Sequence, residues 1–315
     1  MVAKLQDVAK LAGVSVTTVS RVINNRGYLS EQTKTKVHQA MKELNYQPNA
    51  LAQAIKGKPS RFVGMIFPNL TNPFFAELAN TLERKLFQKG YKAIIASSAE
   101  NEQIEHDYLA MLMANQVEGI ISSSHNLGIK EYQEISAPIV SFDRHLSDNI
   151  PVVSSNNYQG GKLAAQYMVA HHAKNVAVLI DEDVSKSPTL MRVQAAVDVL
   201  NTANISYVPM DLKTKSAEDY FPGKFDAVIA SNDVIALKIA QIIKKAGKRP
   251  YKNFFITGYD GSQLIRKVAP ELPTIIQPTE KIADRLITTL IAAINEKPTN
   301  KNQEALAVHF HEGHS

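Results

Sequence analysis

Apolar residues near the start of the chain recur at the spacing of amphipathic helices. In residues 5–12 they fall at i, i+3, i+4 and i+7, which predicts a short helix with one apolar face. Gly13 permits a sharp turn, and Ser15 is a good N-cap for a second helix. Three residues of that second helix share one face and can pack against the first helix: Val19, Val22 and Ile23. The pattern therefore predicts two short helices joined by a tight turn.

The opposite face of the second helix is purely polar. Four residues fall there at the same helical spacing: Thr17, Ser20, Arg21 and Asn24. All four are hydrogen-bonding residues and none is a carboxylate, whereas the solvent-facing side of an ordinary surface helix usually includes Asp or Glu. We interpret this face as one that contacts an anionic surface.

A third helix and a short linker follow. Ser30 can cap the third helix, and its apolar stripe consists of Val37, Ala40, Met41 and Leu44. Segment 49–57 has the pattern of a helix of about eight residues, and isolated helices below roughly 12–15 residues rarely hold in water. We expect this linker to become helical only with a partner, either DNA or a second copy of itself.

From residue 61 onwards, short apolar runs alternate with amphipathic stretches of helix length. The predicted strands are 62–67, 91–97, 117–122, 137–142, 175–181, 225–231, 254–259 and 274–277. The predicted helices include 74–89, 102–115, 157–172, 188–201, 232–246 and 279–296. This alternation predicts an α/β fold with parallel sheets that are covered on both faces. Eight strands over about 250 residues form either one large sheet or two lobes.

Positive charge is concentrated in the segment with the short helices. Residues 1–60 contain nine Lys or Arg and three acidic residues, a net charge of +6, whereas the whole chain carries +5. This excess predicts contact with nucleic acid through the phosphates, with an affinity that falls steeply as salt rises. The alternative is a basic surface without a partner.

Composition excludes several classes of protein. The chain has no cysteine, so disulfides and zinc-finger sites are excluded and a reducing cytoplasm fits. Lys4, Asp7 and Lys10 interrupt any apolar core of a signal peptide, and no apolar run approaches the roughly 18 residues of a membrane span. We therefore expect a cytoplasmic protein without a membrane partner.

Catalytic motifs are also missing. The sequence has no nucleophile elbow, Walker loop, G-x-G-x-x-G or His-Glu-x-x-His motif, so we expect no enzyme activity, cofactor or metal. Three histidines lie near the end of the chain: His309, His311 and His314. A terminal strand would place the first two on one side, where they could suggest metal binding, but we favour a frayed tail as the interpretation.

Six motifs in order resemble the LacI/GalR family of bacterial transcription repressors over essentially the whole chain. They are DVAKLAGVSVTTVSRVIN, NYQPNALAQAI, PNLTNPFFAEL, NQVEGIIS, ASNDVIAL and ITGYDGS. Within the family, NQVEGIISSSHNLGI and PVVSSNNYQGGKLAA are most similar to the sucrose-operon repressors of Gram-positive bacteria. The resemblance implies an all-helical helix-turn-helix head, a hinge helix, and a core like the periplasmic sugar-binding proteins with two doubly wound parallel-sheet lobes.

Domain boundaries follow from the same resemblance. The expected order is a head at 1–48, a hinge at 49–58 and a core at 59–315. The core divides into an N-lobe of about 60–157 and 278–302 and a C-lobe of about 158–277 and 303–312, with crossings near 157, 277 and 303. Such proteins are dimers on palindromic duplex DNA. Because HFHEGHS lacks the heptad helix of the family's tetramers, we expect a homodimer.

DNA contacts are implied by matched positions. Val16, Thr17 and Arg21 would read bases, the arginine by pairing with guanine O6 and N7. Four neighbours would contact phosphates: Ser15, Thr18, Ser20 and Asn24. An alternative for Val16 is packing within the head.

The hinge implies a further contact with DNA. Family members insert a leucine as a wedge into the minor groove, and the matching residue is Ile55, with Ala52 as a small flank. Because isoleucine is β-branched and stiffer, the wedge is expected to be shallower. The alternative is that Ile55 is a core residue of the contact between hinges.

The resemblance also implies a pocket between the lobes for a small sugar or sugar phosphate. The matched positions are Phe74, Phe75, Ser123, Asp143, Arg192, Asn232, Asp260 and Thr279. Simpler alternatives are loop capping for Asp143, surface charge for Arg192, helix capping for Asn232 and a turn for Asp260. Two departures from the family are Ala195 and Ala196, where a glycine and an aromatic are usual, and segment 202–224 is short.

The expected mechanism is linkage between the two ligands. If sugar and DNA prefer different arrangements of the lobes, each weakens the other by the same factor, typically about 1–3 kcal/mol. We expect induction, in which the sugar releases the DNA. The alternatives are a global catabolite regulator with a phosphorylated carrier protein as corepressor, and a sugar-binding protein without DNA activity.

Overall fold

The computed structural model describes residues 3–47, 59–126, 129–180, 188–211, 217–298 and 305–314. The chain divides into two compact units, Met1–Ser60 and Arg61–Ser315. Among the described residues, no helix is both long enough and apolar enough to cross a membrane.

The first unit is a bundle of three helices. They are α1 (Leu5–Ala12), α2 (Val16–Ile23) and α3 (Glu31–Glu43). Gly13 ends α1 with φ +65°, a conformation that glycine adopts without steric cost. The side chains of Ser15 and Ser30 accept the backbone N–H groups of Thr18 and Thr33, so both predicted caps are confirmed. The buried core combines all three helices: Val8, Ala9, Ala12, Val19, Val22, Val37 and Ala40.

The second unit begins with an α/β lobe, here called the N-lobe. Its strands are β1 (Phe62–Phe67), β2 (Lys92–Ser97), β3 (Gly119–Ser122), β4 (Ile139–Phe142) and β5 (Val152–Val153). They form one parallel sheet in the order β2-β1-β3-β4-β5. Its first helices are α4 (Pro73–Gln88), α5 (Glu102–Ala114) and α6 (Glu131–Glu134). β3 and β4 are buried throughout, as expected for strands covered on both faces.

The C-lobe repeats this architecture. Its strands are β6 (Asn175–Ile180), β7 (Ser206–Asp211), β8 (Ala227–Ile229), β9 (Phe255–Asp260), β10 (Thr274–Ile276) and β11 (His309–His311). Their order is β11-β10-β9-β8-β6-β7, parallel except for β11. Its helices are α7 (Asn157–Ala170), α8 (Leu190–Thr202), α9 (Ala217–Tyr220), α10 (Asp233–Lys245) and α11 (Gln263–Val268). The second unit therefore contains two separate sheets rather than one large sheet.

The chain passes between the lobes more than once. It leaves β5 of the N-lobe and enters α7 of the C-lobe, and it leaves β10 of the C-lobe and enters α12 (Thr279–Ile294). α12 returns to the N-lobe, where Leu286 and Leu290 pack with Leu78 and Leu82 of α4. The crossing expected near residue 303 lies outside the described residues.

Three strands of the structure were not among the eight predicted ones. β5 has two residues, and β7 lies at the sheet edge with half of its side chains exposed, so neither shows an apolar run. β11 contradicts the expected frayed tail, because residues 309–311 pair antiparallel with β10 and Phe310 lies opposite Ile275. Antiparallel pairing with an existing sheet edge supplies backbone hydrogen bonds that a tail pattern in the sequence does not reveal.

Helices α7 and α8 approach each other closely at Gly161. A Cβ atom at this position would lie 2.0 Å from the carbonyl oxygen of Arg192. Only glycine therefore fits there without a shift of α8. This contact brings the backbone of Arg192 against α7, next to the space between the lobes.

Candidate nucleic-acid surface and effector cleft

The polar face of α2 is open to solvent. Thr17 and Arg21 are exposed, and Val16 is 41% exposed. Val16 therefore does not pack in the core of the head, although base reading by these three residues stays a prediction. Tyr28, which the sequence analysis did not select, is fully exposed in the loop after α2. In the sequence, Tyr28 is distinguished only as an aromatic residue within a basic segment.

The four predicted phosphate contacts are preoriented by hydrogen bonds to one another. Ser15 Oγ lies 2.9 Å from Thr18 Oγ1, and Asn24 Nδ2 donates to Ser20 Oγ over 3.2 Å. Ser15 is exposed and the other three are half-buried. Their role on phosphate stays a prediction. The predicted wedge residues, Ile55 and Ala52, lie outside the described residues.

A cleft between the N-lobe and the C-lobe contains about 420 Å³ of free space, counted with its open mouth. Seven of the eight predicted effector residues line it: Phe74, Phe75, Ser123, Asp143, Arg192, Asn232 and Asp260. They come together because the carboxyl ends of the parallel strands in both lobes face this space. Thr279 is the exception, since it is buried as the first residue of α12, and Gln277 lines the cleft in its place.

Asp143 is a buried hydrogen-bond centre in the cleft wall. Its carboxylate accepts the backbone N–H of Ser155 at 3.2 Å, Nδ2 of Asn157 at 2.9 Å and Nη2 of Arg192 at 3.2 Å. Burial raises the pKa of Asp143, and the nearby guanidinium groups of Arg192 and Arg144 partly oppose that rise. These partners join the two lobes, so Asp143 does more than cap its loop.

Arg192 is held on several sides. Its Nε donates to Asn157 Oδ1 at 2.5 Å, and its guanidinium lies 3.6 Å from the centre of the Tyr259 ring. The side chain is 17% exposed. The alternative of an ordinary surface charge therefore does not describe this arginine. Ala195 and Ala196, the two departures from the family pattern, are buried in α8 and do not line the cleft.

Asp260 lies across the cleft from Asn72. Its carboxylate accepts Gln277 Nε2 at 2.8 Å and Asn72 Nδ2 at 3.4 Å. Its φ is +104°, and that of Asp143 is +54°. Left-handed backbone at residues other than glycine costs about 1–3 kcal/mol and tends to occur at functional sites. Both buried carboxylates of the cleft thus occupy strained positions at strand ends.

Ser123 and Asn232, two further predicted residues, differ in the hydrogen bonds of their side chains. Ser123 is 1% exposed, and its hydroxyl has no hydrogen-bond partner among the described residues. Such a group is costly unless a ligand or water satisfies it. Asn232, by contrast, accepts the backbone N–H of Ile235 and therefore caps α10, which is the simpler interpretation given above. It also lines the cleft.

Sequence reasoning missed several side chains of the cleft. They are Asn72, His125, Phe142, Arg144, Ser231 and Gln277. Arg144 donates from Nη1 to Thr189 Oγ1 at 3.1 Å, which is a second link between the lobes, and its Nη2 lies 2.9 Å from His125 Nε2. Two of these residues could have been found from their position in the sequence beside predicted cleft residues, because Arg144 directly follows Asp143 and Asn72 precedes the Phe74–Phe75 pair.

Asp233 lies behind the cleft. It accepts Thr274 Oγ1 at 2.5 Å and the backbone N–H of Gly261 at 2.8 Å. Burial and the neighbouring Asp260 carboxylate raise the pKa of Asp233 well above its usual range. The folded state therefore favours the protonated carboxyl. Its stabilising contribution is complete below the unfolded-chain pKa of about 4 and is lost as pH rises through the higher folded-state pKa.

Asp233→Asn is expected to flatten the pH dependence of stability, because the amide cannot ionise. The free energy of unfolding, measured by urea titration at several values between about pH 5 and about pH 8, should fall less in the variant than in the wild type as pH rises. Asp107→Asn is the control, because Asp107 is an exposed acid of α5 that accepts the side-chain amide of Gln103, which does not titrate. Parallel curves for wild type and Asp233→Asn would contradict the expectation.

Comparisons with known proteins agree with both units. Residues 4–49 match the model of bacterial regulatory proteins, lacI family, and residues 63–298 match a periplasmic binding protein domain. The sucrose operon repressor of Streptococcus mutans is 45% identical over 307 residues, covering 96% of each chain. That of Pediococcus pentosaceus is 46% identical over 306 residues, covering 93% of each chain. The chain belongs to the LacI family.

A solved LacI-family structure shows the same fold. The Lac repressor dimer bound to operator and the anti-inducer ONPF matches with a TM-score of 0.81 and 23% identity, covering 99% of this chain and 98% of that one. The predicted fold class is therefore confirmed: an α/β protein with a helix-turn-helix unit and two periplasmic-binding-protein-like lobes. The resemblance to the sucrose-operon repressors of the LacI family is confirmed as well.

Proposed function

We propose that this LacI-family chain is a DNA-binding transcriptional repressor of a sugar-utilisation operon, and that the sugar is sucrose. The observation that carries the proposal is likeness to sucrose operon repressors across both the basic helical unit and the two-lobed unit. The protein acts by binding, without catalysis. It works in the cytoplasm, as its cysteine-free composition and the nature of its relatives suggest.

DNA recognition is assigned to the head, residues 1–48. In a homodimer, two heads bind the half-sites of a palindromic operator, and Val16, Thr17 and Arg21 of α2 read the bases. The exposure of these three side chains and the net charge of +6 on residues 1–60 support this assignment. The hinge, residues 49–58, places Ile55 and Ala52 in the minor groove.

Effector recognition is assigned to the cleft of the core, residues 59–315. A sugar or sugar phosphate offers hydroxyl groups that can replace existing partners of Asp143, Asp260 and Arg192. The free hydroxyl of Ser123 and the rings of Phe74 and Phe75 supply further contacts. Because the existing hydrogen bonds link the lobes, a ligand that replaces them changes how the lobes are held together. We infer induction, in which this change lowers operator affinity.

A titration of labelled palindromic operator tests the proposal. Full-length protein is expected to bind at low salt, and log affinity should fall linearly with log salt because phosphate contacts release counterions. Sucrose, glucose, fructose and their phosphates are then added separately, without any partner protein. Release by sucrose alone is the expected result, and release only by another compound of this panel would contradict sucrose as the effector. No retention at low ionic strength, or release only with a phosphorylated carrier protein, would contradict it.

A further inference from the structure

Residues 123–126, the segment after β3, direct alternate side chains toward different surroundings. Ser123 and His125 line the interlobe cleft. Ser124 and Asn126 instead form hydrogen bonds inside the N-lobe, on the side of α5. Neighbouring side chains along a chain without helical winding point in opposite directions. Whatever holds the inward pair therefore also determines how the cleft-facing pair is oriented.

Glu105 of α5 holds the inward pair. It is completely buried, and its Oε2 accepts Ser124 Oγ at 2.5 Å and Asn126 Nδ2 at 2.7 Å. Its Oε1 accepts the hydroxyl of Tyr132 from α6, and that hydroxyl also lies 2.9 Å from Ser122 Oγ. A buried carboxylate is tolerated only when hydrogen bonds replace its lost hydration. The hydrogen bonds of Glu105 therefore strongly favour one position of residues 123–126.

The segment is also tied by its own backbone. The N–H of Ser124 donates to Ser122 Oγ at 3.2 Å, and the N–H of Asn126 donates to Ser124 Oγ at 3.0 Å. Ser124 Oγ thus donates to Glu105 and accepts from Asn126 at the same time. Removal of the carboxylate would take away the acceptor that the side chains of Ser124 and Asn126 share.

On the cleft side, the two outward residues need a defined position. His125 packs edge-on against Phe75, with ring centres 5.9 Å apart, and its Nε2 lies 2.9 Å from Arg144 Nη2. Ser123 presents a buried hydroxyl that has no hydrogen-bond partner in the described part of the chain. We propose that Glu105 is a positioning residue of the effector cleft, which orients Ser123 and His125 through Ser124 and Asn126. Its effect on sugar binding rests on the proposed function, whereas its effect on His125 does not.

The first test needs no ligand. Full-length protein labelled with ¹³C-histidine is compared by NMR with Glu105→Leu and Glu105→Gln, and the His125 signal is assigned with His125→Gln. Glu105→Leu is expected to shift or broaden that signal, because ring currents from Phe75 depend on distance. Glu105→Gln should retain it, since the amide oxygen still accepts from Ser124 and Asn126 while the amide nitrogen faces the Tyr132 hydroxyl.

Two further variants keep this test decisive. Glu102→Leu, at an exposed position of the same helix, should leave the His125 signal in place. Asn126→Ala removes one hydrogen bond and should move the signal in the same direction as Glu105→Leu but less, so it serves if the leucine variant does not fold. An unchanged His125 signal in folded Glu105→Leu and in Asn126→Ala would overturn the proposal.

The second test uses sucrose as the probe. Calorimetric affinity for sucrose is expected to fall about tenfold in Glu105→Leu, because the cleft loses its preorganisation, and by less than about twofold in Glu105→Gln. Operator affinity without sucrose should stay equal in all three proteins. Equal losses of operator and sucrose binding would indicate a merely structural role and overturn the proposal. If wild type binds operator but not sucrose, the proposed effector is wrong, and the His125 signal still decides the role of Glu105.

Discussion

Replacing Asp260 by alanine is expected to abolish release of the operator by sugar while operator binding itself persists. The carboxylate lies in the cleft with Gln277 and Asn72 as partners, and hydrogen bonds to charged groups contribute about 1.5–3 kcal/mol each. Loss of one such bond to a sugar hydroxyl would weaken sugar binding roughly 10- to 150-fold, so the variant should keep its operator at the sugar concentrations that release the wild type. Operator titrations with increasing sugar measure the response, and calorimetry measures sugar affinity.

Asp260→Asn separates charge from shape in this experiment. The strained φ of +104° is tolerated better by asparagine than by alanine, so the asparagine variant should fold normally and still lose most of the response. Asp148→Ala, an exposed acid of the N-lobe, should respond like wild type. A full response in both Asp260 variants would remove Asp260 from the effector site.

Arg21→Ala is expected to cost about 1–3 kcal/mol at one base pair of the operator and to relax preference at that position. Arg21 is exposed on α2, and its guanidinium can donate two parallel hydrogen bonds to guanine. Binding to a panel of operators with single base changes measures the effect, because the loss should appear at one position and not elsewhere.

Lys42→Ala provides the matched control. It removes the same charge from the last turn of α3, a different helix from α2, and should weaken binding to all operators alike through the general phosphate attraction. The assignment of α2 as the recognition helix is wrong if Arg21→Ala and Lys42→Ala change the operator panel in the same uniform way.

Contacts that join the lobes suggest how sugar binding reaches the rest of the core. Among the described residues, Arg144 contacts Thr189, Asp143 contacts both Arg192 and Asn157, and Asn72 contacts Asp260, so several hydrogen bonds join the lobes at the cleft. Another lies outside the cleft, where Glu77 of α4 accepts the backbone N–H of Gln263 at the start of α11. A sugar bound as proposed would compete with the hydrogen bonds in the cleft, whereas the hydrogen bond between Glu77 and Gln263 lies outside its reach. A ligand that replaces the cleft hydrogen bonds in one arrangement of the lobes but not in another would shift the population between the two arrangements.

Sequence patterns correctly predicted the elements that depend on interactions between residues close together in the sequence. The turn at Gly13 and the caps at Ser15 and Ser30 depend on residues within one helical turn, so the sequence contains all the information. Seven of the eight apolar runs became strands with a neighbour on each side, where burial favours a continuously apolar sequence, and the exception is β2, which lies at a sheet edge with one of its six residues buried. Strands β7 and β11 were not predicted, because strands at a sheet edge need not be apolar. Pairing with a neighbour that is distant in sequence gives them their structure.

The sequence by itself determined the helical head, its charge, the α/β alternation and the membership of a family whose motifs it carries. Only the tertiary structure decided which polar groups share the cleft. Asn72 and Asp260 are 188 positions apart and meet because two sheets direct their strand ends at one space. It also decided that Thr279 is buried, that Arg144 crosses the cleft and that Glu105 anchors the segment beside it. Contacts between lobes depend on how whole sheets are placed, and no local periodicity encodes that placement.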